Sequence, residues 1–319
     1  MNGEKTMKTA VLIPCFNEEK TIAKVISDFR KELPSADIYV YDNNSTDNTA
    51  AIARKTGVLV RCEYRQGKGN VVRSMFRDIE ADIYVLVDGD DTYPAESVHD
   101  LVSPILSGEA DMVTGDRLSS RTYQKENKRP FHEFGNNIVV FFINKLFKAR
   151  LHDVMSGYRA FNRFFVKTIL VLSEGFEIET EIVLHALDKR FLIREVPVAY
   201  RDRVEGSYSK LKTVEDGLKV IRTILWIFKD YRPLVFFGYG SLIFLIMGGI
   251  FGLPVMNYLM NTFKLPSILF IVFLFFLAFF SSILFSVGLI LDTVVKFHRL
   301  DYEKSINDYR TNNPIKEIK

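Results

Sequence analysis

The chain has 319 residues, a net charge of +3 and two cysteines. So small a charge leaves no electrostatic footprint for nucleic acid. Cys15 and Cys62 lie in apolar, strand-like contexts and read as buried thiols in a reducing compartment rather than as a disulfide.

The first third alternates apolar strands with helices. Thr9 to Ile13 reads as a strand. Glu18 to Leu33 follows as a helix, with Ile22, Val25, Ile26, Phe29 and Leu33 at helical spacing. Asp37 to Tyr41 is a second strand, Thr49 to Thr56 a helix stopped by Gly57, and Val58 to Cys62 a third strand. Gly69 to Ile79 reads as helix and Ile83 to Val87 as strand. The repetition predicts an α/β fold, a Rossmann-like, mostly parallel sheet with helices on both faces. No GxGxxG follows the first strand, which argues against a dinucleotide cofactor.

At the end of the fourth strand, Asp88 and Asp90 stand two residues apart in Val87-Asp88-Gly89-Asp90-Asp91-Thr92. Ligands bind at the C-terminal edge of parallel strands, so paired hard carboxylates there suggest Mg²⁺ or Mn²⁺ and a phosphorylated ligand. Beyond Asp91 the pattern predicts a strand at Met112 to Gly115 and an aromatic-rich helix at Asn136 to Phe147. A short helix follows at Glu181 to Lys189, then a strand at Ile193 to Tyr200 and an amphipathic helix at Thr213 to Phe228. That last helix suits a membrane surface, with plain core packing as the alternative. The five histidines show no metal-ligand spacing and read as structural.

From Pro233 to Leu291 the only charged residue is Lys264, which divides two apolar runs, Leu234 to Val255 and Ile268 to Leu291. As helices they reach roughly 33 to 36 Å, enough to cross a hydrocarbon core of about 30 Å. Lys219, Arg222, Lys229 and Arg232 precede the first run, and Lys296, Arg299 and Lys304 follow the second. The connection Met256 to Ser267 holds only Lys264. The positive-inside rule then puts both termini in the cytoplasm. Met1 to Ala10 has no apolar stretch, so no signal peptide is expected. The tail from Asp301 onward is polar and expected to be flexible.

Several segments together carry a resemblance. Val11-Leu12-Ile13-Pro14-Cys15-Phe16-Asn17-Glu18-Glu19, Tyr41-Asp42-Asn43-Asn44-Ser45-Thr46-Asp47, Gln66-Gly67-Lys68-Gly69 and Asp88-Gly89-Asp90 follow the order of family 2 glycosyltransferases with the GT-A fold. Asp153-Val154-Met155-Ser156-Gly157-Tyr158-Arg159, Gly175-Phe176-Glu177-Ile178-Glu179-Thr180-Glu181 and the stretch from Tyr200 to Leu211 resemble its polyprenyl-phosphate branch. That branch is similar to dolichol-phosphate mannose synthase and bacterial relatives with two membrane helices. The resemblance implies a GT-A catalytic domain at 1–211, an amphipathic juxtamembrane helix at 212–232, a membrane hairpin at 233–295 and a cytoplasmic tail at 296–319.

The resemblance also implies roles for individual residues. Pro14, Asn17, Glu18, Asp42, Gly67, Lys68 and Asp88 would border the nucleotide. Asp42 would accept from a base N–H, while Asn17 could instead only cap the first helix, and Gly67-Lys68-Gly69 would either let backbone approach a ligand or form a plain turn. Asp90 would contact the metal, with Thr92 where relatives often have Gln as a second ligand, and Asp88 would face the ribose and metal region. Asp153 and Arg159 bracket the acceptor-side turn and, with Asp88 and Asp90, form the catalytic set. Arg117, Arg203, Ser207, Ser209 and Lys210 supply donors for phosphate and acceptor. Glu181, then Glu179, are the remaining possible site acids.

The implied activity is inverting transfer of a hexose from a nucleotide sugar, with UDP the first choice, to polyprenyl (undecaprenyl) phosphate at the cytoplasmic face of the plasma membrane. The product would feed envelope glycosylation, and the enzyme would be a homo-oligomer embedded in membrane lipid. Three alternatives stand beside it. A processive polysaccharide synthase would need Gln-x-x-Arg-Trp, which the lone Trp226 does not supply. A haloacid dehalogenase-type phosphatase matches Asp88-Gly89-Asp90-Asp91-Thr92 by letter but needs it on the first strand. The third is a non-catalytic membrane scaffold.

Overall fold

The computed structural model describes residues 7–119, 130–175, 177–202, 213–262 and 267–312. The chain divides into two compact units, Met1–Val220 and Ile221–Lys319. In the first, strands β1 (Thr9–Cys15), β2 (Asp37–Asp42), β3 (Leu59–Cys62) and β4 (Ile83–Leu86) alternate with helices α1 (Ile22–Glu32), α2 (Thr49–Lys55) and α3 (Lys68–Asp78). Then come α4 (Val98–Leu106), β5 (Met112–Asp116), α5 (Pro130–Phe147), β6 (Arg159–Asn162), α6 (Arg163–Thr168), α7 (Ile178–Asp188) and β7 (Ile193–Pro197). The strand β6 and the helices α4 and α6 were not expected from the sequence.

The sheet has seven strands in the order β3-β2-β1-β4-β6-β5-β7. Strand β1 pairs in parallel with β2 and β4, β2 with β3, and β5 with β7. Strand β6 alone runs the other way, antiparallel to both β4 and β5. This reversal matters for the site. Leu86, at the C-terminal end of β4, faces Arg159, at the N-terminal end of β6. The turn that enters β6 is therefore delivered to the edge where the parallel strands end.

Strand β1 is buried on both faces, with Val11, Leu12 and Ile13 all fully enclosed, as a central parallel strand requires. Helix α1 covers it with Ile22, Val25, Ile26 and Phe29, spaced to form one apolar face. On its exposed side Lys24 pairs with Asp28 one turn away at 2.8 Å. Helix α4 adds Val98, Leu101, Val102 and Ile105 to the same core. Truncating Phe29 to Ala removes a ring from its centre and costs about 3–5 kcal/mol.

Two local expectations are corrected here. Cys62 is exposed, because β3 is an edge strand with solvent on both faces. Helix α1 begins at Ile22, not Glu18: Glu18 O accepts the N–H groups of Thr21 and Ile22, so the preceding residues belong to a loop.

The helix α8 (Thr213–Tyr231) crosses the division between the units, and α9 (Pro233–Thr262) and α10 (Ile268–Asn312) form an antiparallel hairpin. Both are long and apolar enough to cross a membrane by length and composition. They are held by more than apolar packing. Ser281 Oγ donates to Ser241 O at 3.0 Å, and the two hydroxyls lie 3.0 Å apart. At Gly288 an added Cβ would meet Phe237 Cβ at 3.1 Å, so the glycine allows close approach. The helix α10 continues to Asn312, so residues 301–312 are helical rather than a loose tail. Its polar extension carries an Asp292–Lys296 pair at 2.8 Å, and Ser305 Oγ donates to Asp301 O.

Candidate active site

The strands β1, β2, β4 and β5 all end at one edge, and β6 begins there. On the β2 side, Asp42 is 4% exposed. Its Oδ2 accepts from Ser45 N at 3.0 Å, while the buried Oδ1 has no hydrogen-bond partner. A buried acceptor left in this state costs about 1–3 kcal/mol unless something donates to it. Next to it, Asn43 Nδ2 donates to Glu63 O at 3.0 Å and Arg65 O at 2.7 Å, and its Oδ1 accepts from Gly67 N at 2.8 Å. Asn43 therefore fixes the loop that leads into α3. Its three backbone partners are set by the folding of distant loops, and no local motif announces them.

Asn17 does not cap a helix. It sits at φ 55°, its Oδ1 accepts from Thr46 N at 2.8 Å, and its own N–H donates to Ser45 Oγ at 2.9 Å. Glu18 N donates to Thr49 Oγ1 at 2.8 Å. The loop after Pro14 is thus tied to the loop after Asp42. Gly67 and Gly69 have a clear steric reason as well. A Cβ on either would overlap the carbonyl oxygen of Glu174 or Ser173, and Gly69 N donates to Glu174 O at 2.9 Å. The close approach that requires glycine at these two positions is by the protein's own backbone.

The glycines place Lys68 at the centre of the edge. Its ammonium lies 2.5 Å from Asp88 Oδ1 and 2.8 Å from Glu179 Oε1, with the Lys68 side chain 7% exposed. Burial alone would lower the Lys68 pKa, but Asp88 and Glu179 outweigh it and raise it well above the usual lysine value. The acids of α7 are now separated in role. Glu179 joins Lys68, whereas Glu181 accepts from Leu172 N and Ser173 N, both at 2.9 Å, and holds the strip that packs on Gly67 and Gly69. Gly157 closes this group from the β6 side, since a Cβ there would overlap Asp88 Oδ2 and come within 3.0 Å of Lys68 Nζ.

Asp90 is 3% exposed and Thr92 1%. Thr92 Oγ1 lies 2.6 Å from Asp90 Oδ1 and Thr92 N 3.2 Å, so Thr92 orients the carboxylate. Asp91 takes φ 59° and pairs with Lys24 at 2.7 Å. Among the described residues no group of three or more His, Cys, Asp or Glu is placed to hold a metal. Asp88 and Asp90 offer hard carboxylate oxygens, a donor chemistry that suits a divalent ion completing its shell with diphosphate oxygens and water.

On the β5 side Arg117 and Asp153 form a two-pronged pair, Nε to Oδ2 at 2.7 Å and Nη2 to Oδ1 at 2.9 Å. The Asp153 carboxylate is fully enclosed and the Arg117 side chain 15% exposed. Burial would lower the Arg117 pKa, yet Asp153 raises it well above its usual value, so the guanidinium is a fixed charge. Its Cζ lies 5.7 Å from the Tyr200 ring centroid, a cation–π distance. Arg159 is buried too. Nε donates to Ser156 O at 2.9 Å and Nη2 to Val154 O at 2.8 Å, and buried Nη1 has no hydrogen-bond partner. It shapes the turn that carries Gly157. Tyr93 completes that turn, its hydroxyl accepting from Gly157 N at 3.0 Å.

The structure brings Asp88, Lys68 and Glu179 together, and separately Arg117 with Asp153, and Asp90 with Thr92. Pro14 lies in β1, in register with Tyr41 of β2. Arg203, Ser207, Ser209 and Lys210 lie outside the described residues. The described segment just before them is anchored, since Arg201 N donates to Thr92 O at 2.9 Å.

A sequence profile of Glycosyl transferase family 2 matches residues 10–170, which contain nearly all of this edge. The chain belongs to glycosyl transferase family 2. Glycosyltransferase AglJ of Haloferax volcanii is 34% identical over 72% of this chain and 74% of its own. A dolichyl-phosphate hexose transferase of the same organism is 29% identical, over 70% of this chain and 95% of its own. Among solved structures, the fold is similar to that of Mycobacterium tuberculosis glucosyl-3-phosphoglycerate synthase in complex with Mn²⁺, UDP-glucose and glycerol 3-phosphate. The TM-score is 0.55 at 22% identity, covering 70% of this chain and 80% of that one. This family 2 glycosyltransferase therefore has a GT-A-like catalytic unit and two apolar helices after it.

Proposed function

We propose that the protein transfers a hexose from a UDP-sugar to a polyprenyl phosphate, undecaprenyl phosphate first among them, with inversion and with Mg²⁺ or Mn²⁺ bound. The observation that carries this reading is the single sheet edge that holds Asp88, Asp90 and the charged Arg117 beside the unpartnered Asp42 Oδ1. Asp42 Oδ1 suits the N–H of a uracil base. Asp90, with Thr92 beside it, would hold the cation and Asp88 would face the ribose and metal region; the cation when bound would neutralise charge on the departing nucleoside diphosphate. The relative that is a dolichyl-phosphate hexose transferase and the fold neighbour with Mn²⁺ and UDP-glucose support acceptor and donor respectively.

A phosphate monoester has a second pKa of about 6, so at neutral pH the acceptor oxygen is already an anionic nucleophile. No strong general base is required. Arg117, held rigid by Asp153, offers a permanent positive charge to a phosphate, and Arg203, Ser207, Ser209 and Lys210 extend that chemistry along the chain toward the apolar helices. Attack at the anomeric carbon opposite the diphosphate then inverts configuration. In this reading the two apolar helices cross the plasma membrane twice with both termini cytoplasmic, and the copies self-associate.

The test is transfer by the purified full chain, with undecaprenyl phosphate, Mg²⁺ or Mn²⁺, and labelled UDP- and GDP-sugars. Label moving from a UDP-sugar into an acid-labile lipid, lost with Asp90→Asn and of inverted anomeric configuration by NMR, is the expected result. No transfer to lipid phosphate from any donor, with nucleotide binding intact, would overturn the acceptor.

A further inference from the structure

The geometry points to Glu195 as a positioning residue for the Arg117–Asp153 pair. Glu195 stands on β7, an edge strand, yet its side chain is only 11% exposed. Its two oxygens accept from His152 N at 3.0 and 2.8 Å, and Oε1 accepts from Asp153 N at 2.9 Å. No lysine or arginine is paired with it among the described residues. A carboxylate enclosed in this way and met by main-chain donors is being used as a fixed acceptor. The N–H groups it fixes belong to the turn that carries Asp153, and the Asp153 carboxylate in turn grips both arms of Arg117. Glu195 therefore acts on the guanidinium through two hydrogen-bonded steps, from the far side of the sheet edge.

The groups around Glu195 agree with this role. Asp116, 2% exposed at the end of β5, has its Oδ2 3.7 Å from His152 Nδ1, while its Oδ1 accepts from Leu118 N and Ser119 N. His152 Nδ1 is 3.3 Å from Glu195 Oε2, with the imidazole largely in solvent. Burial raises the Glu195 pKa; the N–H donors of Asp153 and His152 oppose it, and the Asp116 charge adds to it. Two acids so close would be separated by repulsion if β7 needed only a filler, and the main-chain donors hold Glu195 in place. A ligand role for Glu195 is not required, since its oxygens are already occupied.

This inference rests on the acceptor reading above, in which Arg117 serves the lipid phosphate. The experiment uses the full chain and two variants, Glu195→Gln and Glu195→Asp. Gln keeps the size but offers one acceptor oxygen instead of two, and Asp keeps the charge but draws it back by one methylene. Both should raise KM for undecaprenyl phosphate about 10- to 100-fold, as misplacement by about 1 Å does. KM for the nucleotide sugar should stay within about twofold, and hydrogen exchange at the His152 and Asp153 amides should quicken. His152→Ala, which keeps the main-chain N–H, should leave all three unchanged. Equal shifts in donor and acceptor KM, no shift in either, or a His152→Ala variant that mimics Glu195→Gln would overturn the role. If the wild type transfers nothing to lipid phosphate, the acceptor reading falls; amide exchange then decides the anchor alone, and unchanged exchange in Glu195→Gln overturns it. Should one variant fail to fold, the other carries the comparison.

Discussion

The two halves of the sheet edge are held by different physics. On the β3-β2-β1 side, the loops are joined by hydrogen bonds between side chains and backbone, neutral ones through Asn43, Asn17, Ser45 and Thr49 and others accepted by the carboxylates of Asp42, Asp47 and Glu19. On the β4-β6-β5-β7 side, the turns are set by buried ions: Lys68 between Asp88 and Glu179, Arg117 on Asp153, and Arg159 under its turn. The neutral half suits a planar, neutral base, and the ionic half suits phosphates, because fixed charges in an enclosed place act without reorganising. Gly157 is the seam, the point where the β6 turn touches Asp88 and Lys68.

The largest expected effect breaks that seam. Gly157→Ala puts a methyl group into the space of Asp88 Oδ2, so either the carboxylate or the turn must move. Transfer should fall by about 100-fold or more, while the protein still unfolds in one cooperative step. Steady-state rates and a denaturant melt on the same preparation check this. Wild-type activity in Gly157→Ala would mean that Asp88 has slack, and the ionic half would not be the rigid one.

Next in size is Lys68→Met. It leaves Asp88 and Glu179 without their shared cation in a nearly enclosed place, and breaking such a buried pair costs about 3–5 kcal/mol. Loss should appear as a lower urea midpoint. The triple variant Lys68→Met, Asp88→Asn, Glu179→Gln should recover part of that stability without recovering transfer. A single variant as stable as wild type would show that water already reaches the cluster.

The sequence made one half of this comparison far more legible than the other. Strands β1 to β4 and their helices follow hydrophobic period and turn residues, which are local, so they could be read directly. Strand β6 could not, because Arg159-Ala160-Phe161-Asn162 is four residues with a buried arginine at its head, and its reversed direction is fixed only by β4 and β5 on either side. Site residues divide in the same way. Asp88 and Asp90 stood out by spacing, and Asp42 by its place at a strand end. Asn43 and Glu195 did not, since each acts by reaching main-chain groups that are distant in the chain. Glu179 and Glu181 look equivalent as letters; only the packing of residues 172–174 against Gly67 and Gly69 separates the ion partner from the backbone anchor.

The neutral half should respond more gently. Asn43→Ala removes three hydrogen bonds and leaves Gly67 N without its acceptor, at a cost of about 1–3 kcal/mol. It should raise KM for the nucleotide sugar and leave KM for the lipid acceptor near its wild-type value, the mirror image of Glu195→Gln. Measured together, the two variants form a crossed test. If both shift the same substrate, the division into a donor half and an acceptor half is wrong.

The smallest expected effect is no change at all, on raising the pH. Lys68 has a pKa raised in the folded state, so its contribution to stability is complete below the unfolded lysine value of about 10.4 and is lost only as pH rises through the higher folded value. The difference in urea midpoint between wild type and Lys68→Met should therefore stay level from about pH 8 to pH 10. A difference that shrinks within that window would mean that Lys68 gives up its proton far too readily for an ammonium held between two carboxylates. The ionic half would then owe its order to packing, as the neutral half does.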